Sequence, residues 1–135
     1  WESYWDRKTS AMVGLYEGAI ASQYYPYVRP QENGNKTDVR WAKLSKKKGV
    51  NIAIYSTGSL LNINALPYSP AQLFPGIEKG QTHAGELTPD KYTHLDIDLQ
   101  QLGLGGDNSW GNLPMEQYLL YLYQPYSYSY RIEAF

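Results

Sequence analysis

Tyr92-Thr-His-Leu-Asp-Ile-Asp-Leu99 is the stretch whose period decides the fold. Leu95, Ile97 and Leu99 alternate with His94, Asp96 and Asp98. Successive side chains of a strand point to opposite faces, so this period predicts a strand with its apolar face turned inward and its polar face turned to solvent. The same grammar recurs on both sides of it. Leu60 to Leu66 sets Leu61, Ile63 and Ala65 against Asn62 and Asn64. Asn51 to Thr57 carries Ile52 and Ile54 on one face, and Asp38 to Lys46 reads as one strand with Val39 and Trp41, and Lys43 as a third candidate, on one side. Lys46-Lys-Lys-Gly49 between these two is a polar turn, which predicts a hairpin. Toward the end, Tyr118 to Tyr123 is a further apolar run. Tyr126, Tyr128, Tyr130 and Ile132 then alternate with Ser127, Ser129, Arg131 and Glu133 as a final strand.

The connecting segments agree with an all-β reading. Ser69-Pro-Ala-Gln-Leu-Phe74 predicts one helical turn, with Ser69 as cap and Pro70 at the first helical position. Ala11 to Gln23 is weakly apolar, interrupted by Gly14 and Gly18, and reads as irregular. Tyr24 to Pro30 is extended, because each proline keeps its predecessor out of helical geometry, and Asn33-Gly34 marks a turn. Six or seven antiparallel strands in a sandwich, one domain over residues 1–135, is the expected architecture.

Composition narrows the function classes. The chain has 12 basic and 13 acidic residues, a balance that offers nothing to nucleic acid or to an anionic membrane. No run of apolar residues is long enough for a membrane-spanning helix. Absence of cysteine excludes disulfides, thiolate zinc sites and a cysteine nucleophile. It fits either side of a cytoplasmic membrane equally, so the compartment stays open. Fourteen tyrosines and four tryptophans against two phenylalanines favour half-buried sheets, interfaces and sugar sites. Starting at Trp1 without Met, the chain reads as a piece of something longer or as a processed product.

Several residues could carry chemistry. His83 and His94 are the only histidines, no Gly-x-Ser-x-Gly turn accompanies them, and a solvated or partnered His94 is the plain expectation. Asp96 and Asp98, two apart on one strand face, approach the separation of a glycosidase pair, roughly 5 to 10 Å, yet an outward strand face is where solvated carboxylates normally sit, and that is the preferred reading. Asp96, Asp98 and Asp107 offer oxygens to a hard cation without the spacing of a calcium loop. Lys43, Lys46, Lys47 and Lys48 read as a solubilising hairpin tip rather than a phosphate patch.

The loop Leu102-Gly-Leu-Gly-Gly-Asp-Asn-Ser-Trp-Gly111 says more. Glycines and the turn-formers Asp107, Asn108 and Ser109 predict an ordered, sharply turned loop holding Trp110. Such a Trp either seals the sandwich edge or offers a flat face to a sugar, with Asp107 and Asn108 beside it to bond hydroxyls.

Three segments together resemble the small-chain region of β-galactosidases of glycoside hydrolase family 2, in the last, C-terminal domain. They are Trp1 to Arg7, ending in Asp6-Arg7; Tyr25-Pro-Tyr-Val28 with Pro30 and Glu32-Asn-Gly34; and Leu95-Asp-Ile-Asp98 leading into Gly103-Leu-Gly-Gly-Asp-Asn-Ser-Trp110. The resemblance implies roughly the second half of a galactose mutarotase-like supersandwich. It implies catalytic glutamates in a separate (β/α)8 barrel, Mg and Na ions bound in other domains, and no cofactor within this stretch. On this reading Trp110 stacks on the galactoside, Asp107 and Asn108 are its loop neighbours, and Pro30 to Gly34 is structural. The remaining domains of the parent enzyme are the expected partners, and half a supersandwich is expected to pair with itself or to leave Tyr126, Tyr128 and Tyr130 exposed. A free-standing carbohydrate-binding module and a pure assembly domain are the competing classes.

Overall fold

The computed structural model describes residues 2–9, 11–77 and 82–135, so Trp1, which opens the first of the three segments, lies outside the described residues. Two three-stranded antiparallel sheets make up the fold. In the first, β4 (Leu61–Leu66) lies between β1 (Lys36–Val39) and β5 (His94–Asp98). In the second, β3 (Ile52–Ser56) lies between β2 (Trp41–Leu44) and β6 (Tyr130–Ala134). Ile54, Leu61 and Ile63 are buried together, and Val39, Ala42, Leu44, Ile52, Leu95 and Ile97 pack around them. These side chains come from both sheets, so the sheets lie face to face as an all-β sandwich, in agreement with the alternation in the sequence.

Local chemistry sets the pieces. β2 and β3 form the expected hairpin, Leu44 opposite Ile52 and Trp41 opposite Tyr55, across the lysine-rich turn. α1 (Pro70–Leu73) starts where expected: Gln72 N–H donates to the Ser69 hydroxyl, and Ser69 N–H donates back to the Gln72 side chain at 2.8 Å.

The structure corrects three expectations. The strand predicted over Asp38 to Lys46 is two strands in two different sheets. Asp38 sits in the left-handed region at φ 59°, the β1–β4 register shifts between Lys36 and Val39, and the chain bends at Arg40. A one-residue slip exchanges the two faces of a strand. Val39 therefore packs against the core, as do Ala42 and Leu44, while Trp41 and Lys43 turn outward.

Second, the polar face of β5 is half-buried rather than turned to solvent. Asp96 stands opposite Asn64 and Asp98 opposite Asn62 on β4, and both asparagines are buried. The N-terminal segment brings a polar coat: Ser3, Asn33 and Asn35 are buried too, and the 3₁₀ turn Ile20–Gln23 packs on β4. An alternating pattern tells a polar face from an apolar one, but it cannot show that another part of the chain covers the polar face.

Third, the apolar run Tyr118 to Tyr123 forms no strand; it follows the 3₁₀ turn Glu116–Tyr118 irregularly. The final strand also begins only at Tyr130, because β3 is five residues long and Ile52 to Ser56 pair with Ala134 back to Tyr130. Tyr128 instead donates its hydroxyl to the Ile97 carbonyl at 2.7 Å. Ile132 shares a sheet face with the buried Ile54 yet stays 51% exposed, and Tyr126, Tyr128 and Tyr130 are 43, 41 and 41% exposed, so the inner face of β6 is left partly uncovered.

Candidate functional site

The glycine loop leaves the end of β5 and divides into a buried base and an exposed tip. Gly103 and Gly105 are buried, whereas residues 106–113 are exposed. The base is held by residues nearly a hundred positions earlier in the chain. One Asp6 carboxylate oxygen accepts the Leu104 N–H at 2.9 Å and the other accepts the Gly105 N–H at 2.8 Å. Arg7 donates one guanidinium N–H to the Gly105 carbonyl, and another lies 3.3 Å from the Asp6 carboxylate. The Asp6 side chain is only 3% exposed. Burial alone would push its carboxyl up, but the Leu104 and Gly105 N–H groups, with Arg7 beside them, hold it below the usual carboxylate value.

Glycine is required at two points of this base. A Cβ on Gly103 would stand 2.8 Å from the Tyr118 Cβ and 2.9 Å from the Asp6 carboxylate, closer than side chains pack. Gly105 has φ 66°, where an L side chain is strained. Backbone and ring contacts brace the other flank: Gly103 N–H donates to the Tyr118 carbonyl at 2.9 Å, and Trp5 meets the Tyr118 ring edge-on at 5.9 Å.

At the tip, Asn108 accepts the Trp110 N–H on its side-chain oxygen at 2.8 Å, a local turn of the kind Asn favours. The Trp110 indole is 90% exposed. It seals no sandwich edge, so the plain packing explanation for it does not hold. Asp107 and Asn108 lie on the same exposed tip.

The other candidate residues lie elsewhere in the fold. His94 pairs with Asp90 at 3.1 Å, four residues earlier, and His83 caps the 3₁₀ turn Ala84–Glu86. Asp96 is pushed up by burial and by the neighbouring Asp98, with His94 opposing. It faces the buried asparagines of β4 rather than an open sugar cleft. Among the described residues no three His, Asp or Glu side chains gather as a metal would need. A cleft of about 370 Å³ lies between Gln72, Pro75, Glu86 and Thr88, and among the described residues Glu86 is the carboxylate that lines it. Lys46, Lys47 and Lys48 occupy the exposed hairpin tip.

The Glu32-Asn33-Gly34 element ties the coat together. Asn33 accepts the Tyr25 N–H and donates to the Tyr25 carbonyl, both at 2.9 Å. Glu2 is the hub that sequence reasoning missed. Its carboxylate accepts the Gly34 N–H at 2.6 Å, the Tyr27 hydroxyl at 2.7 Å and the Tyr4 hydroxyl at 3.0 Å. Burial pushes Glu2 up, but those three donors bring it below its ordinary value. Gln101 bonds both Glu32 and Asp98 at 3.3 Å, which links the coat to the start of the loop.

Comparison with known proteins agrees with the motifs. Residues 1–132 match the family model described as beta galactosidase small chain. A β-galactosidase of Priestia megaterium is 37% identical over 98% of this chain, which corresponds to 12% of that protein. One of Lactobacillus delbrueckii subsp. bulgaricus is 44% identical over 82% of the chain and 10% of its own length. The β-galactosidase BgaC of Bifidobacterium adolescentis is 32% identical over 99% of the chain and 12% of its length. The chain thus spans about a tenth of the length of the curated relatives it matches. With a sandwich fold and an anchored glycine loop to set beside that match, this chain belongs to the β-galactosidase small-chain family.

Proposed function

We propose that this chain is a non-catalytic region of a β-galactosidase, and that Trp110 forms one aromatic wall of an active site completed by the rest of the enzyme. The observation that carries the reading is a 90% exposed indole held at the tip of an anchored loop. A sugar ring presents C–H groups on one face, and these pack on a flat aromatic while polar neighbours such as Asp107 and Asn108 meet hydroxyls. The acid and the nucleophile of a retaining two-carboxylate mechanism are then supplied outside this chain, in the barrel that the family resemblance implies. Magnesium and sodium ions, where the complete enzyme uses them, are held in its other domains.

Kinetics of the complete enzyme test this. Trp110→Ala is expected to raise KM for a chromogenic β-galactoside about fivefold, the equivalent of about 1 kcal/mol of stacking. Unchanged kinetics refute the sugar wall. Turnover by the purified 135-residue chain refutes the non-catalytic assignment. If lactose saturates the chain's tryptophan fluorescence at millimolar concentration or below, a self-sufficient carbohydrate-binding module replaces this reading. A large tyrosine-lined interface with no response to sugar replaces it with an assembly domain.

A further inference from the structure

We propose that Asp6 is a positioning residue for the sugar-facing loop: with Arg7 it fixes residues 103–105, and this sets where the tip presents Trp110. The inference rests on the reading of Trp110 as a sugar wall. It goes beyond that reading by assigning a role to a side chain at the other end of the sequence.

The geometry carries it. A carboxylate has two oxygens, and here each takes a different, consecutive N–H, from Leu104 and Gly105. Arg7 takes the Gly105 carbonyl, so Gly105 is held through both its N–H and its C=O. The absence of a side chain at Gly103 allows the carboxylate to come this close, since a Cβ there would stand 2.9 Å from it. Beyond Gly105 the loop is exposed, and Trp110 is held to its own turn by Asn108. The direction in which the tip points is therefore decided at the base. A glycine-rich loop without that anchor would sample many orientations, and ordering it would oppose sugar binding. An anchored base removes that cost before the sugar arrives.

Asp6→Asn is the discriminating change, because it keeps shape and volume while replacing one acceptor oxygen with an NH2 group that faces a backbone N–H donor. In the complete β-galactosidase, Asp6→Asn is expected to raise KM to a value between wild type and Trp110→Ala, with kcat changed less than KM. The double variant is expected to match Trp110→Ala alone, since a misplaced indole and a missing one lose the same contact. Amide exchange at Leu104 and Gly105 should quicken by at least about tenfold, as expected for a lost charge-assisted hydrogen bond, while Ile63 in β4 keeps its wild-type rate. An Asp6→Asn enzyme with wild-type KM beside a raised KM for Trp110→Ala overturns this inference alone. So do effects that multiply in the double variant, or a parallel rise in exchange at Ile63. Unchanged KM for Trp110→Ala overturns the sugar wall itself and this inference with it.

Discussion

Gly34→Ala probes the N-terminal coat at its tightest point. Gly34 has φ 78°, and a Cβ there would lie 2.3 Å from the Gln23 carbonyl oxygen and 3.3 Å from its carbon. The left-handed backbone alone costs an alanine about 1 kcal/mol. The clash is with backbone of the Ile20–Gln23 turn, so no side chain can rotate away and the peptide itself must shift. That shift pulls the Gly34 N–H from the Glu2 carboxylate, which it meets at 2.6 Å. A hydrogen bond to a charged group contributes about 1.5 to 3 kcal/mol. Together these give a loss of about 3 to 5 kcal/mol, a large part of the roughly 5 to 15 kcal/mol that holds a domain folded. Equilibrium urea unfolding followed by circular dichroism reads it as a fall in midpoint of about 2 M. Gly58→Ala is the control: no atom lies within 4 Å of its Cβ position, and its stability should match wild type. A loss below about 1 kcal/mol for Gly34→Ala would refute the reasoning, because the backbone strain alone predicts that much.

Two further outcomes follow from the core and from the carboxylates. Ile54, with no exposed surface, should cost about 2 to 5 kcal/mol on change to Ala, whereas Ile132, opposite it but 51% exposed, should cost clearly less; equal losses in urea unfolding would show that the two sheets do not enclose Ile54 as described. Glu2 and Asp6 are both held below their ordinary values of 4.5 and 3.8, so each adds stability in full above those values and loses it as pH falls through its lower folded value. Urea midpoints should therefore drop below about pH 4.5, and Glu2→Gln should flatten that drop; an unchanged acid slope in the variant would remove Glu2 from the account.

The sandwich was legible because its two faces alternate where it matters. Ile52 and Ile54, Leu61 and Ile63, and Leu95 and Ile97 carry the period that places each strand, and each reaches the core. The glycine loop was legible for a related reason: glycines, Asp107, Asn108 and Ser109 act on their own backbone, so their effect is local. Asp38 escaped notice because a non-glycine residue in the left-handed region leaves no mark in an alternating pattern. The coat escaped because Ser3, Asn33 and Asn35 are polar, and polarity reads as exposure until a covering partner is known. Asp6 could be quoted as part of a motif, yet nothing in its neighbourhood tells that its two oxygens serve Leu104 and Gly105.

The Asp6 contacts also order events in time. They span 98 and 99 residues, against the short spans that close the β2–β3 hairpin. Contacts between residues so far apart must close a long, disordered loop, and folds that depend on them form slowly. During synthesis Asp6 leaves the ribosome 98 and 99 residues ahead of Leu104 and Gly105, and its carboxylate oxygens wait that long for these donors. The hairpin can close long before that. Trp110 is thus brought to its place late, and a ribosome stalled before Leu104 would leave the Asp6 carboxylate with no loop yet to hold.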